Sequence, residues 1–272
     1  MSSEIYGVWS QTLAELMSYR YLGCRSVLGD GFDAVGRMPL RNDMRHGGGL
    51  LAAPVAIAML DTAGIAVDRH WQLALTRVEV QLCGAAAVTR AVEVLGALTR
   101  QARTQVFTEA RFVDADHCDV VLGAGTADWA VISATGTGFE YIDPGPGVAD
   151  SADLPPLATA YEAELRADGS FVIEELTPRL GGLVLHHGPI LVSLEAAALH
   201  LVRDARVESL DVRIVKAGKR GPFVTTADVV ADVDGSVLVA AKMIQGGDAA
   251  NTIATAHLRL RRSRYESAGG AE

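Results

Sequence analysis

The sequence predicts an α+β protein in which one arrangement occurs twice: a single apolar helix enclosed by an antiparallel sheet. The chain has 272 residues and is 49% hydrophobic, which suffices for a sizeable core, in one large domain or two small ones. The order strand, glycine turn, apolar helix and four strands occurs once in each half. Each helix is strongly apolar, so we expect a sheet to enclose it.

The first half contains these elements in order. A short helix comes first, because Leu13, Leu16 and Met17 share one helical face. Alternating apolar and polar residues predict the strands. The predicted elements are the helix around Ser10–Ser18, strand Ala34–Leu40, turn Gly47–Gly49, the helix from Leu50 to about Ala63, and strands Val78–Leu82, Val88–Leu98, Thr104–Val113 and Asp119–Ser133.

The second half repeats this order after a proline- and glycine-rich linker, Ile142–Ser151. We therefore divide the chain into an N-terminal domain (1–143), a linker (144–170) and a C-terminal domain (171–272). The repeated elements are strand Phe171–Leu176, the turn with Gly181, Gly182 and Gly188, the helix from Ile190 to about Arg203, and strands Leu210–Ile214, Phe223–Val230, Val237–Ile244 and Thr252–Leu260.

Charge and motif content exclude several classes of function. A net charge of −9 argues against a general nucleic-acid binder. Three unpaired cysteines, an N-terminus without a signal pattern and a longest apolar run of eleven residues lead us to expect a reduced, cytoplasmic protein outside the membrane. Serine-elbow, phosphate-loop, dinucleotide and metal-ligand patterns are absent from the sequence, so we expect neither cofactor nor metal.

Asp61 is the strongest candidate for a functional side chain. From Leu50 to Val67 the only polar side chains are Asp61 and Thr62. A carboxylate in an apolar helix loses its hydration, so it needs a partner or takes up a proton. Asp61 also comes late in the predicted helix, where Gly64 is a plausible stop and an anion opposes the helix dipole. Local physics therefore disfavours Asp61, which indicates function; a bond to a nearby amide or arginine is the alternative. Its neighbour Thr62 is a candidate for substrate binding.

The second helix and the two glycine turns supply the other candidates. Glu195 lies at the edge of an apolar stripe, so a solvated position is the alternative to a catalytic one. Glycines allow a backbone to approach a ligand closely, and amides at a helix start can polarise a carbonyl group. A histidine before a helix is otherwise a cap or loop residue. The candidates in the turns are His46 and His187 for catalysis, and Gly47, Gly48 and Gly188 for substrate binding.

Basic residues form two clusters in this acidic chain. A solvated surface is the ordinary explanation, and an anchor for ligand phosphates is the alternative. We prefer the cluster in the loop after the strand that follows the second acid-bearing helix, since it is within reach of a groove there. The preferred cluster is Lys216, Lys219 and Arg220, and the other is Arg259, Arg261, Arg262 and Arg264.

Taken together, these residues resemble the hotdog-fold acyl-CoA thioesterases. The stretch His187–Ala197 is similar to the histidine–glycine turn and acid-bearing helix of that superfamily. The stretch Leu60–Gly64 is similar to the acid-bearing segment of its phenylacetyl-CoA type. Two copies in one chain resemble a tandem, or double, hotdog, which would extend over roughly Val35 to Arg262.

The resemblance implies hydrolysis of an acyl-CoA thioester at the interface between two hotdogs. Amides around Gly48 and Gly188 would polarise the thioester carbonyl. The helix acid, Asp61 or Glu195, would act as nucleophile or activate water. The partner would be a small-molecule acyl-CoA, with neither nucleic acid nor membrane involved, and CoA would enter only as part of the substrate. Assembly of such chains into a homo-oligomer stays open.

The first half departs from the family pattern. The gap from histidine to acid is eight residues between His187 and Glu195, close to the usual spacing, but fifteen between His46 and Asp61. Either the first helix is longer at its start, or His46 is not the equivalent residue. Gly188 is followed by Pro189 instead of the usual second glycine, so one degenerate site stays an alternative.

Two other functions also stay open, because a fold does not determine an activity. One is a hotdog acyl-thioester dehydratase or hydratase that uses His187 with Glu195. The other is a non-catalytic protein that binds acyl-CoA in the same groove.

Overall fold

The computed structural model describes residues 16–29, 31, 33–68, 70–83, 89–135 and 145–262. Its first half contains helices α1 (Met17–Arg20) and α2 (Ala52–Asp68), a 3-10 turn (Asn42–Met44), and strands β1 (Arg25–Leu28), β2 (Ala34–Pro39), β3 (Arg45–His46), β4 (Gly49–Leu50), β5 (Gln72–Leu82), β6 (Ala91–Gln101), β7 (Gln105–Asp114) and β8 (Val121–Ser133). Its second half contains helices α3 (Leu157–Ala160) and α4 (His187–Leu201), a 3-10 turn (Ala249–Asn251), and strands β9 (Glu164–Leu165), β10 (Phe171–Ile173), β11 (Ala205–Ile214), β12 (Phe223–Val233), β13 (Ser236–Gln245) and β14 (Thr252–Arg262).

One large antiparallel sheet organises the described residues. Its strand order is β1-β2-β6-β7-β8-β5-β11-β14-β13-β12-β10-β9. The order β2-β6-β7-β8-β5 of the first half recurs as β10-β12-β13-β14-β11 in the second. The halves join where β5 pairs antiparallel with β11, with Val80 opposite Leu210. The α+β class and the antiparallel sheet are therefore confirmed, whereas the division at 143 and 171 stays a prediction, since one continuous sheet joins the halves.

Helix α2 is enclosed as its composition predicts. Of its 17 residues, only Ile65 and Asp68 are not buried. Small residues of the sheet let the helix come close: a Cβ added to Gly96 would lie 3.1 Å from the Cβ of Ala63. Tight packing of this kind stabilises the fold by apolar burial, at roughly 25 cal/mol per Å².

The end of α2 differs from the sequence prediction. The helix continues to Asp68, and Gly64 lies inside it, where a Cβ would meet the Trp129 ring at 3.5 Å. Burial of the apolar residues that follow outweighs the helix penalty of glycine, about 1 kcal/mol. Asp61 is therefore the tenth residue of the helix and not near its end. The dipole argument does not apply to it, because that effect is confined to the last turn.

Some predicted elements reach beyond the described residues. Residues 10–15 of the first predicted helix, Val88 of one strand, residues 142–144 of the linker and Arg264 of the second basic cluster lie outside them. The described part of the first helix is the single turn α1. The strand predicted to run to Leu176 ends at Ile173. Among the described helices, none combines the length and apolar character needed to cross a membrane.

Candidate active site

The two central helices run antiparallel, because the start of each lies against the middle of the other. The backbone N–H of Ala52, the first residue of α2, donates to Glu195 of α4. Conversely, Asp61 of α2 lies against His187, the first residue of α4. The sequence repeat thus produces two matching places in the fold, each with one helix acid and one helix start.

At the first place, Asp61 and His187 face each other at a distance slightly too long for a hydrogen bond between them. The Nε2 of His187 is 3.8 Å from Oδ1 of Asp61. Within the described residues, neither carboxylate oxygen of Asp61 nor Nε2 of His187 makes a hydrogen bond of normal geometry. Buried polar atoms without partners are rare and costly, so a cluster of three indicates a site that binds something polar.

Burial sets the protonation states of this pair. It raises the pKa of Asp61 well above its ordinary value, and the nearby Tyr19 side chain opposes part of that rise. Burial, with a contribution from His186, lowers the pKa of His187 well below its ordinary value. Both shifts favour the neutral forms, so the resting pair is a carboxylic acid beside a neutral imidazole.

This geometry corrects the histidine–acid pairing expected from sequence spacing. His187 and Glu195 stand on the same helix, eight residues and therefore about 12 Å apart along its axis. They cannot form one acid–base pair. The partner of His187 comes instead from the other half of the chain, because the antiparallel helices bring the start of α4 to the middle of α2.

At the second place, Glu195 has partners. Its two carboxylate oxygens accept the backbone N–H groups of Ala52 and Ala53, at 2.6 and 3.0 Å. The first N–H groups of a helix lack partners within it, so Glu195 supplies a cap from the other half of the chain. Burial raises the pKa of Glu195 to about 7, and the hydrogen bonds from the two backbone N–H groups oppose that rise.

The turn before α2 lies away from the Asp61–His187 pair. Gly47 and Gly48 form the tip of the β3–β4 hairpin with positive φ angles of 57° and 77°, which favour glycine. The helix itself starts at Ala52, so these two residues are not its first amides. His46 places Nε2 2.6 Å from the carbonyl oxygen of Arg203, beyond the far end of α4. The fifteen residues of α4 make it about 22 Å long, which separates His46 from the start of α4.

Gly188 and Thr62 have structural contacts of their own. Gly188 lies in the first turn of α4, where a Cβ would come within 2.0 Å of the Ser18 hydroxyl oxygen. Thr62 donates its hydroxyl to the Ala58 carbonyl at 2.7 Å and shares a hydrogen bond with Ser26 at 2.9 Å. Thr62 therefore ties α2 to β1, while Asp61 lies against α4.

The preferred basic cluster lies close to the start of α4. The N–H of Leu185 donates to the Gly218 carbonyl at 2.7 Å, which joins the 215–220 loop to the residues just before His187. Lys216, Lys219 and Arg220 are exposed. Lys216 binds the Asn251 side chain at 2.8 Å, and none of the three cations forms an ion pair with another described residue.

Two arginines of the second basic cluster are paired with acids. Arg261 lies 3.1 Å from Glu208, and Arg262 lies 2.7 Å from Asp232. Both arginines, with Gly47, line a cavity of about 720 Å³ at the hairpin tip, away from the start of α4. Their charges are largely compensated there, which favours the solvated-surface interpretation for this cluster.

Three residues near the Asp61–His187 pair carry no recognisable sequence pattern. Ser18 and Tyr19 come from the single-turn helix α1, and His186 is the residue before α4. The ring of His186 is 5.8 Å from Tyr19 and 3.7 Å from His187. The sequence feature that could have pointed to His186 is its position beside His187, directly before an apolar helix. No described group of three or more His, Cys, Asp or Glu side chains is placed to hold a metal ion.

Comparison with solved structures shows the hotdog fold. A protein described as having a hot dog fold, from Alicyclobacillus acidocaldarius, matches with a TM-score of 0.57 at 12% identity, over 91% of this chain and 98% of its own. The 12:0-ACP thioesterase from Umbellularia californica matches at 0.58 and 12%, over 86% and 95%. The acyl-CoA thioesterase II TesB2 from Mycobacterium marinum matches at 0.55 and 14%, over 92% and 99%.

These similarities extend over most of each chain, so the hotdog fold expected from the sequence is confirmed. Neither a protein-family model nor a curated protein sequence matches the chain. At such low identity the likeness concerns the fold, and activity has to be argued from the site.

Proposed function

We propose that this protein hydrolyses an acyl-CoA thioester to the free acid and CoA, with Asp61 as the catalytic carboxylate. The observation that carries the proposal is that Asp61 is buried, accepts no hydrogen bond of normal geometry from another described residue, and faces the first residue of α4. Two of the similar structures are named thioesterases, which supports thioester hydrolysis as a reaction that this fold accommodates.

The start of α4 would bind the thioester carbonyl. The first N–H groups of a helix, here those of His187 and Gly188, have no carbonyl partner within the helix. Their dipoles would stabilise the negative charge that develops on the carbonyl oxygen when the carbon is attacked. Asp61 lies on the facing helix, close to the same first turn.

Asp61 would act in its ionised form. As a general base, it would take a proton from the water molecule that attacks the carbonyl carbon. The C–S bond then breaks, and the proton passes to the departing thiolate. As a nucleophile, Asp61 would attack the carbon itself, the C–S bond would break to release the CoA thiolate, and water would cleave the resulting anhydride to the free acid and the Asp61 carboxylate. Both routes need a carboxylate that backbone amides do not hold, and among the described residues Asp61 meets that requirement where Glu195 does not.

The loop containing Lys216, Lys219 and Arg220 would anchor the phosphates of CoA. A chain of net charge −9 repels a polyanion unless local cations overcome that field. The hydrogen bond between Leu185 and Gly218 places this loop beside the start of α4. That position supports this loop over the arginines of the second cluster.

A dehydratase or hydratase is the second candidate, and one observation favours it. An imidazole and a carboxyl group from two different helices, 3.8 Å apart, can add and remove protons at two positions of one substrate. The pair is His187 with Asp61. A hydratase would consume an enoyl thioester without releasing thiol, so the two activities are distinguished by their products.

The deciding experiment measures thiol release from a panel of acyl-CoA and acyl-carrier-protein thioesters, alongside the ultraviolet absorbance of an enoyl-CoA. We expect thiol release by the wild type and a loss in kcat of at least about tenfold in Asp61→Asn. Asp68→Asn makes the same acid-to-amide change on the same helix, about 10 Å along its axis, and should retain kcat within about twofold.

Three outcomes would contradict the proposal. Loss of the enoyl signal without thiol release would identify a hydratase. Binding of acyl-CoA without turnover would identify a binding protein. Equal turnover in wild type and Asp61→Asn would remove Asp61 from the mechanism. The CoA carrier, the cytoplasmic location and assembly into a homo-oligomer stay predictions, and the acyl chain stays open.

A further inference from the structure

A second buried contact lies directly behind the Asp61–His187 pair. The Ser18 hydroxyl shares a hydrogen bond of 2.9 Å with Nδ1 of His186. The His186 ring in turn lies against the His187 ring, with 3.7 Å between their centroids and 40° between their planes. Ser18 is 1% exposed and His186 is partly buried, so the bond is partly shielded from water. The contacts connect α1, through two imidazole rings, to the carboxyl group of Asp61.

The helix that carries Ser18 is held in place on several sides. The N–H of Met17 donates to the Arg179 carbonyl at 2.8 Å, and the Tyr161 hydroxyl donates to the Met17 carbonyl at 3.3 Å. At the other end of α1, the buried guanidinium of Arg41 donates to the Tyr21 carbonyl at 3.0 Å. A four-residue helix would not be stable alone, so these contacts set the position of Ser18.

Gly188 makes room for this arrangement. A side chain at position 188 would collide with Ser18, since a Cβ would stand 2.0 Å from the hydroxyl oxygen. The missing side chain of Gly188 therefore lets α1 approach the first turn of α4. This gives a reason for glycine at this position that is separate from a contact with substrate.

We propose that Ser18 and His186 are positioning residues that hold the His187 ring against Asp61, a role that rests on the proposed function of that pair. His187 Nε2 makes no hydrogen bond with another described residue that would set the ring orientation. Its orientation then depends on packing against His186, whose own orientation depends on Ser18. Reactive groups need to be held within about 0.5 Å of a productive geometry.

The substitutions separate the hydrogen bond from the stacking. Ser18→Ala removes the hydroxyl and leaves both rings. His186→Phe keeps an aromatic ring against His187 and removes the nitrogen that Ser18 binds. In both variants we expect kcat to fall about five- to tenfold and KM to change less than about twofold, because binding contacts are untouched. Gly188→Ala, which displaces Ser18, should lower kcat at least as much.

A readout without substrate keeps this test separate from the proposed function. In protein labelled with ¹⁵N-histidine, the ring resonances of His187 report its tautomer and pKa. Among the described residues, Asp61 and His186 lie against that ring, and the titratable side chains that interact with Asp61 are Tyr19, Cys24 and Tyr161. Loosening of the ring should admit water and raise the pKa of His187 toward its ordinary value of about 6.5. This change is expected in Ser18→Ala even if the protein hydrolyses nothing.

Matched controls lie on the same helix. Ser193→Ala removes a buried hydroxyl of α4 that has no hydrogen-bond partner among the described residues. His200→Phe changes a histidine near the far end of α4. Both should keep wild-type kcat and wild-type His187 resonances.

Two results would overturn the proposal. One is an unchanged His187 spectrum in both Ser18→Ala and His186→Phe. The other is complete loss of turnover in Ser18→Ala with an unchanged His187 spectrum and an acyl group trapped on Ser18 of the wild type. The second result would make Ser18 the nucleophile and not a positioning residue.

Discussion

Asp61 and Glu195 occupy matching places on the two central helices, yet their surroundings are opposite. Glu195 reaches the first two amides of α2 and closes that helix start. Asp61 is one methylene shorter than Glu195 and faces the corresponding start of α4; both helices have proline as their third residue, so the proline does not distinguish the two places. The carboxylate oxygens of Asp61 are buried and accept no hydrogen bond of normal geometry from another described residue. A carboxylate with amide partners stabilises the fold, whereas one without them is available for chemistry.

The largest effect is expected where Glu195 is removed. Glu195→Ala would leave two buried N–H groups unpaired and a cavity beside them, at a cost of about 2–4 kcal/mol in the free energy of unfolding. Urea unfolding monitored by circular dichroism measures this cost. Glu195→Gln keeps one acceptor and should lose less. A stability of Glu195→Ala equal to that of the wild type would end the interpretation of Glu195 as a cap.

Replacement of Asp61 should stabilise the fold, in contrast to replacement of Glu195. Besides losing turnover, Asp61→Asn should unfold at a temperature about 2 °C or more above the wild type at pH 8, because a neutral amide is less costly to bury than an ionisable carboxyl group. Differential scanning calorimetry gives the comparison between Asp61→Asn and the wild type. A lower melting temperature in Asp61→Asn would show that the carboxyl group has stabilising contacts in the fold.

The pH dependence of stability sharpens the contrast. Both acids have pKa values raised by burial, so each favours the folded state in its protonated form. That stability is present at low pH and is lost as pH rises through the folded-state pKa. For Glu195 the loss should be complete soon above pH 7, the pKa that burial gives it. For Asp61 the loss of stability should continue to higher pH, because burial raises its pKa well above the ordinary value.

Unfolding free energies of wild type, Asp61→Asn and Glu195→Gln between about pH 5 and 9 measure this dependence. The advantage of Asp61→Asn over the wild type should grow across the range. The difference in unfolding free energy between Glu195→Gln and the wild type should change with pH up to about neutrality and then level off. Turnover should likewise rise with pH, because ionised Asp61 is the active form. Stability differences independent of pH would mean that neither acid titrates in this range.

The smallest effect is expected outside the acid pair. The triple variant Lys216→Ala/Lys219→Ala/Arg220→Ala should raise KM for acyl-CoA about three- to tenfold and leave kcat nearly intact, because phosphate contacts bind substrate and transition state alike. The increase should shrink at high salt. Arg261→Ala/Arg262→Ala, whose charges are already paired, is the control. Equal KM values in the triple variant and the wild type would exclude this loop as the anchor.

Much of the fold follows from local pattern. Alternation of apolar and polar residues predicts strands such as Gln105–Asp114 to within a residue or two, because a half-buried strand imposes a period of two. Uniform apolarity predicts that α2 is enclosed. The predicted end of α2 near Gly64 was wrong, because Gly64 packs on Trp129, which belongs to a strand far along the chain.

The sequence by itself determined the repeated order of elements, the two apolar helices and the anomaly of an acid at position 61, since each depends on residues close together in the chain. Only the tertiary structure decided that His187 meets Asp61 and not Glu195, that Glu195 caps α2, and that α1 brings Ser18 behind the site. These contacts arise where the antiparallel helices cross between the halves. Hydrogen-bond partners so distant in sequence leave no periodic pattern, because their pairing is set by the packing of whole elements.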